Sequence, residues 1–531
     1  MPRIEEYGYV ARVHASRIFD LRRIAMSETP REGLPVIVIG AGPVGLAAAA
    51  HLVERGLEPL VLEAGEGPAA AVASWGHVRL FSPWQYDIDA AARRLLAGTG
   101  WVEPNRDALP TGRGLVENYL TPLAGVLGDR VRYGARVTDV TRDGADRSRS
   151  LGRERRPYLV RYAVGGQVRE VRARAVIDAS GTFGTPNPLG LSGLPVIGEG
   201  AAAGHLTGAL PDVLGGARER FAGRTALVVG MGHSAANTLL SLVELAGDEP
   251  GTRIVWAIRG GSPRRLYGGG SDDQLPARGL LGTRLRDAVE AGRVELLTRV
   301  AIDRLEPATP SDGVRVLGTA RREGADVDLD LTVDTIVNAT GFRPDLDMLR
   351  EVRLDLDPVV EAPRAIAPLI DPNHHSCGTV PAHGEIDLAH PDEDFYLVGM
   401  KSYGRAPTFL LATGYEQVRS VVAALAGDRA AADSVELNLP ATGVCSSDLA
   451  FAADEDGVVS SDALALAGAS GGGCCATPSG PQTVTLGLGA PAESSGGCGG
   501  TDDAASGCGS TPEPVKVGFA TGVEHGRSGD E

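Results

Sequence analysis

Apolar residues along this chain fall into two kinds of run. Short unbroken stretches such as Val36 to Ile39 and Ala226 to Val229 end abruptly in glycine, and each is followed by a longer alanine- and leucine-rich stretch. A short apolar run bounded by glycine reads as a strand buried on both faces, and the longer stretch reads as a helix. In LPVIVIGAGPVGLAAAAHLVERGLEPLVLEAG the order is strand, Gly40, Gly42 and Gly45, a helix to Arg55, and a second strand ending at Glu63. A dinucleotide fold needs that order: the first glycine for a tight turn, the second for close approach to a pyrophosphate, the third for helix packing on the strand. The helix N-terminus then faces the phosphates. Glu63 stands where a carboxylate accepts hydrogen bonds from the ribose hydroxyls of the adenosine half.

The pattern returns in RTALVVGMGHSAANTLLSLVELAGDEPGTRIVWAIRG, with Gly230, Gly232 and Ala235 in the glycine positions and a second strand from Arg253 to Ile258. This strand ends in Arg259 rather than an acid, and Arg264 and Arg265 follow. An acid there would repel a 2′-phosphate, whereas arginines pair with one, so the second site is expected to take NADPH. Solvated surface arginines are the plain alternative.

Two later echoes, AVIDASGTFGTPNP at 175–188 and TIVNATGFRPDLDML at 335–349, are apolar strands running into small-residue turns. Such turns let a chain leave one nucleotide domain and cross to the other. The expected architecture is α/β: a Rossmann-type domain with a second, NADPH-binding Rossmann-type domain inserted. Its boundaries are an N-terminal extension over 1–33, the first domain over 34–195 and 346–430, the inserted domain over 196–345, an extension over 431–467 and a flexible tail over 468–531.

The stretch from Val36 to Asp428 resembles the two-dinucleotide-binding flavoproteins, and within them the flavin-containing monooxygenases, through GAGPVG, GMGHSA, NATGF and the crossover ASGTFGTPNPLGLSGLPVIGE. The resemblance implies FAD in the first site and NADPH in the second. It also directs attention to EDFYLVGMKSYGRAPTFLLATGYEQVRSVVAALAGD. There a strand reaches Gly399, where such flavoproteins carry an acid, and a helix beginning near Thr408 points its N-terminus at the flavin pyrimidine. The helix dipole favours the anionic reduced flavin, and Lys401 and Arg405 are candidate catalytic cations at the same place. Two cations capping a loop are the alternative.

Disulfide reductases of this group work through two thiols beside the flavin. No cysteine precedes Cys377 here, so no such pair follows Glu63 or lies in the second domain. Cys377 itself falls among His374, His375, His383 and His390. That segment reads either as a soft-metal site or as a loop whose histidines donate hydrogen bonds or carry protons, and its spacing matches no standard zinc pattern.

Charge and composition narrow the class. The net charge of −17 argues against a nucleic-acid surface. No apolar run reaches the roughly 18 residues of a membrane span, and the opening stretch lacks the apolar centre of a secretory signal. Cytoplasmic location with reduced thiols is expected, with no membrane partner, and Met26 of MSETP reads as an alternative start. A homodimer is compatible with the sequence and not specified by it.

From about Gly468 the chain is glycine, serine, alanine, proline and threonine, which cannot bury enough surface to offset ordering entropy. Five of its six cysteines nevertheless lie beyond residue 440, four of them, Cys474, Cys475, Cys498 and Cys508, in this tail. Neighbouring thiols on a flexible arm make a trap for a thiophilic ion such as trivalent arsenic, with a later cysteine as third ligand. The tail resembles the C-terminal cysteine pair of mercuric reductase, and the whole chain resembles flavoproteins encoded with bacterial arsenic-resistance genes. The expected activity is therefore an NADPH-dependent FAD monooxygenase using molecular oxygen on a trivalent arsenical. Oxygenation of an organic amine or sulfide, or metalloid binding with a vestigial flavin site, remain the alternatives.

Overall fold

The computed structural model describes residues 31, 33–267, 276–308, 312–322, 324–371, 380–406 and 409–437. Cys377, His374, His375, Thr408 and the four tail cysteines lie outside them, as does the whole of 468–531. No helix among the described residues is long and apolar enough to cross a membrane.

Val36, Ile37, Val38 and Ile39 are all buried because β1 (Val36–Ile39) is the centre of a five-stranded sheet. Its neighbours are β2 (Pro59–Leu62), β3 (Val131–Arg132), β7 (Ala175–Asp178) and β15 (Phe395–Leu397), in the order β15-β7-β1-β2-β3, every pairing parallel. Val36 and Val38 pack against helix α1 (Pro43–Glu54), with its run of buried alanines, and against Val418, Val421 and Val422 of helix α3 (Leu411–Leu425). Ile37 and Ile39 face the other way, onto Tyr158, Val160 and Tyr162 of an antiparallel sheet. That sheet is built from β4 (Arg136–Arg142), β5 (Tyr158–Val164) and β6 (Gln167–Ala173). One parallel sheet is thus covered by helices on one face and by three antiparallel strands on the other.

The inserted half repeats the plan. β8 (Leu206–Thr207), β9 (Thr225–Val229), β10 (Arg253–Ala257) and β14 (Thr335–Asn338) are parallel, and β11 (Glu295–Pro307), β12 (Val314–Arg322) and β13 (Ala325–Val333) extend the sheet to the order β13-β12-β11-β10-β9-β14-β8. Ala226, Val228, Ile254 and Trp256 pack against helix α2 (His233–Asp248), while Leu227, Val229, Val255 and Ala257 meet Ile302, Val316 and Leu331 of the antiparallel strands. β11 serves both arrangements: Glu295 to Leu297 pair with β10 in parallel, and from Thr298 onward the strand pairs antiparallel with β12. The two-dinucleotide Rossmann-type architecture expected from the glycine patterns is the fold observed. The antiparallel triplets are additions that the apolar runs do not announce.

Two chain segments join the halves, and they are hydrogen-bonded to each other. Asn187 N–H donates to the Gly341 carbonyl at 2.9 Å and Arg343 N–H to the Thr185 carbonyl at 3.0 Å. Asn338, at the end of β14, fastens the crossing: its Nδ2 donates to the Asn187 carbonyl at 2.8 Å and its Oδ1 accepts from Thr340 Oγ1 at 2.7 Å and from Thr340 N–H at 3.2 Å. Replacing Asn338 by alanine deletes all three contacts, and at about 1 kcal/mol each a loss of roughly 2–4 kcal/mol is expected. Asn338→Asp keeps the two contacts accepted from Thr340 but has no proton for the Asn187 carbonyl and sets a charge against it, so it should remain destabilised. Denaturant unfolding of both variants checks this, and a neutral Asn338→Asp would contradict it.

Candidate functional site

In both halves the parallel strands deliver glycine turns to the C-terminal edge of the sheet, where ligands of open α/β sheets bind. Gly40 has φ +96° and Gly230 has φ +132°, so both need a residue free to adopt left-handed backbone. Close approach makes the need absolute. A Cβ on Gly45 would come within 2.0 Å of the Gly40 carbonyl oxygen, and one on Gly230 within 2.0 Å of the Ala339 oxygen. Around Gly42 and Gly232 the position of a Cβ is open, with nothing within 4 Å. These same two glycines are the N-caps of α1 and α2, and neither helix has a side-chain cap. Uncapped N–H groups behind an open glycine fit a phosphate. Ala235 is fully buried, where a third glycine would let helix and strand approach.

The turns after β7 and β14 complete each site in the same way. Asp178 Oδ1 accepts from Ser180 Oγ at 2.6 Å and from Ser180 N–H at 3.1 Å, the arrangement Asn338 makes with Thr340. Each turn lies against the first glycine of its own half, Gly40 against Ala179 and Gly230 against Ala339. The DASG and NATG echoes are therefore the second wall of each nucleotide turn as well as the crossing points.

Glu63 is half-buried and ties the first turn together. Its Oε2 accepts from Ala41 N–H at 2.6 Å and its Oε1 from Gly65 N–H at 2.7 Å, holding the carboxylate at the edge expected for ribose recognition. In the second half, Trp256 Nε1 donates to the Gly230 carbonyl at 2.7 Å and fixes that turn. Arg259 is exposed on the loop after β10, and Arg264 is exposed at the start of the short helix that follows it. Arg265 lies beside Arg264 in the short helix Arg264–Tyr267. The halves touch where Phe81 meets His233, the first residue of α2, with ring centroids 5.3 Å apart.

Around Gly399 the chain is held by a buried hydrogen-bond network. Gly399 has φ +67°, and a Cβ there would stand 3.2 Å from Val44 of α1. Its N–H donates to Gln417 Oε1 at 2.7 Å, and Gln417 Nε2 donates to Ser402 Oγ at 2.9 Å and to His383 Nε2 at 2.8 Å. Since His383 Nε2 accepts, its proton is on Nδ1, which donates to the Pro381 carbonyl at 3.1 Å. Burial holds His383 below the usual histidine range, and burial brings His390 down to about 4, with Asp355 and Asp392 pulling the other way. Both are neutral hydrogen-bonding groups, and His390 Nδ1 accepts from Asp355 N–H at 3.2 Å. No group of three metal-ligating side chains occurs among the described residues. α3 begins at Leu411, without a side-chain cap.

Lys401 is the sequence's candidate cation for the flavin. It is instead wholly buried, with Nζ 2.7 Å from Asp178 Oδ2 and 3.0 Å from Ser180 Oγ, so its charge is offset by a carboxylate buried beside it. Arg405 is exposed, and its N–H donates to the Val360 carbonyl at 2.7 Å.

Asp87 is a group that sequence reasoning misses. It is fully buried, accepts from Ser82 Oγ at 2.8 Å, and burial pushes its carboxyl up to about 7 against the Ser82 bond. Ser82 directly follows Phe81, so this acid is bonded to the residue next to the Phe81–His233 contact. No motif marks it, because its environment is assembled by Tyr415 of α3, whose hydroxyl donates to the Asp87 carbonyl at 2.8 Å.

Removing one member of a buried ion pair strands the other, at a cost of about 3–5 kcal/mol, whereas removing both can be nearly neutral. Lys401→Met is accordingly expected to lose stability in that range, and Asp178→Asn/Lys401→Met to recover most of it, measured by denaturant unfolding. A single variant no worse than the double would show that the pair does not organise the turn.

Residues 35–108, which contain the first glycine turn, match the family model described as FAD dependent oxidoreductase. No curated protein gives a significant sequence match. Among solved structures, the bacillithiol disulfide reductase of Bacillus cereus is similar with a TM-score of 0.54 at 19% identity, over 74% of this chain and 99% of that one. The FAD-bound cadaverine monooxygenase of desferrioxamine biosynthesis from Erwinia amylovora is similar with a TM-score of 0.52 at 15% identity, over 77% and 98%. The ornithine N-hydroxylase of Kutzneria sp. 744, in a structure with reduced FAD, NADP+ and L-ornithine, gives 0.51 at 18% identity, over 75% and 99%. At these identities the likeness is one of fold, shared by a reductase and by monooxygenases. The family match over the first turn, the two-dinucleotide fold and the uncapped helix ends behind both turns together support an FAD-dependent oxidoreductase.

Proposed function

We propose that this chain is an NADPH-dependent flavin monooxygenase of the cytoplasm that oxidises a trivalent arsenical. The observation that carries the reading is the pairing of two equivalent glycine turns. One lies in the segment matched to the FAD-dependent family, the other leads to exposed Arg259 and Arg264, and the halves that hold them meet at Phe81 and His233.

The roles follow from charge and geometry. The first turn takes the FAD pyrophosphate at the N-terminus of α1, and Glu63 holds the adenosine ribose. The second turn takes the NADPH pyrophosphate, with Arg259, Arg264 and Arg265 pairing the 2′-phosphate. Gln417 locks the Gly399 turn against α1. The uncapped end of α3 and the charge of Arg405 would favour negative charge on a ring bound beside them. Lys401 acts on the same site through Asp178, as a positioning residue. FAD held there would supply the redox chemistry, acceptance of a hydride from NADPH and transfer of two electrons to oxygen.

With no cysteine before Cys377, the two sheets offer no dithiol to receive those electrons, which favours oxygen as acceptor. The balance is then NADPH, a proton and oxygen consumed, with one oxygen atom added to the arsenic centre, which passes from the trivalent to the pentavalent state, and the other released as water. The choice of arsenical rests on the thiols of Cys474, Cys475, Cys498 and Cys508, soft ligands on a glycine-rich arm.

Purified protein should be yellow and oxidise NADPH with oxygen uptake that rises on addition of arsenite or methylarsenite, in step with pentavalent product. A form ending at Gly468 should keep the basal rate while requiring more arsenical for half-maximal stimulation. Stimulation of both forms by an amine or a sulfide, with arsenicals inert, would assign the enzyme to organic substrates. Metalloid binding without any NADPH oxidation would make the chain a binding protein and overturn the enzymatic reading.

A further inference from the structure

β11 changes partners in mid-strand, and the change happens at Arg299. Glu295 to Leu297 pair with β10, and the antiparallel ladder with β12 is interrupted between Thr298 and Ala301. Arg299 occupies this corner with φ +48°. A left-handed backbone costs a residue with a side chain about 1–2 kcal/mol, and glycine would serve the corner without that strain. Strain retained at one position asks what the side chain does there.

The corner is clipped onto the loop that follows β10. Arg299 N–H donates to the Gly260 carbonyl at 3.0 Å and Val300 N–H to the Ile258 carbonyl at 2.9 Å. The guanidinium lies over the same loop: a Cβ on Gly261 would stand 3.5 Å from Arg299 Nε and 3.6 Å from its Nη2. Gly261 falls between Arg259 and Arg264, both exposed, while Arg299 is half-buried. A cation from another strand is thereby held against the loop that carries the proposed phosphate-binding arginines. The same charge also reaches Asp326 at the start of β13, whose carboxyl is lowered by Arg321 first and by Arg299 to a smaller extent.

We propose that Arg299 is a specificity-determining residue of the second nucleotide site, a guanidinium held by the β11 corner to read the ribose 2′-phosphate together with Arg259 and Arg264. The proposal rests on the reading that the second turn takes NADPH. A half-buried, pre-positioned guanidinium loses less side-chain freedom on binding than an exposed arginine, so Arg299 should carry a larger share of the discrimination than Arg264.

The test uses the FAD-loaded full-length protein, with binding of 2′,5′-ADP and of 5′-AMP measured by calorimetry for the wild type, Arg299→Gln and Arg299→Gly. Both substitutions are expected to weaken 2′,5′-ADP by roughly tenfold or more and to leave 5′-AMP within about twofold, the range of one charge-assisted contact. Loss of 2′,5′-ADP affinity with 5′-AMP retained separates phosphate recognition from a structural use of Arg299, whereas an equal loss of both probes in both variants would assign the guanidinium to structure and overturn its role in recognition. Unchanged discrimination in both variants, beside a discriminating wild type, would overturn the role of Arg299 and leave NADPH use standing. A wild type that binds both probes equally would overturn the NADPH reading and this inference with it.

Discussion

A backbone carbonyl stands where a side chain would have to go at the turns that matter. The Gly40 oxygen meets the Gly45 position and the Ala339 oxygen meets the Gly230 position, each at 2.0 Å from where a Cβ would be. Such contact draws the exit of each central strand, the start of each helix and the turn after the neighbouring strand to one point. The helix start then has its N–H groups uncapped and open, and the turn beside it becomes the place where the chain changes domain. Nucleotide site and domain crossing are consequently one piece of structure in each half.

The halves use one turn design with different chemistry at one position. Asp178 and Asn338 both cap a hydroxyl residue two positions on, yet Asp178 also faces Lys401 while Asn338 donates to the Asn187 carbonyl. A carboxylate is tolerated in the first case because a buried ammonium balances it. An amide is required in the second because the neighbour is an oxygen that needs a proton. Lys401, the sequence's candidate cation for a cofactor, is in the structure the buried partner of Asp178.

What the sequence made legible was local. Val36–Ile39, the helix behind Gly42 and the repeat at Gly230 could be read because unbroken apolar runs and glycine spacing are local requirements. β4 and β6 escaped because arginines and acids on their exposed sides dilute the alternation expected of strands, as in RVTDVTR and QVREVRA. Lys401 escaped because its partner is 223 residues away, and Arg299 because a bulge leaves no compositional mark. Of the histidines before β15, the described pair, His383 and His390, both make hydrogen bonds.

In the proposed function two nucleotides, one at each glycine turn, exchange electrons across the contact between the halves. Anaerobic mixing of the purified, FAD-loaded protein with NADPH tests it most directly. Loss of the visible flavin absorbance, with one NADPH consumed per FAD, is the predicted result. A flavin that stays oxidised under NADPH, while dithionite still bleaches it, would contradict the claim.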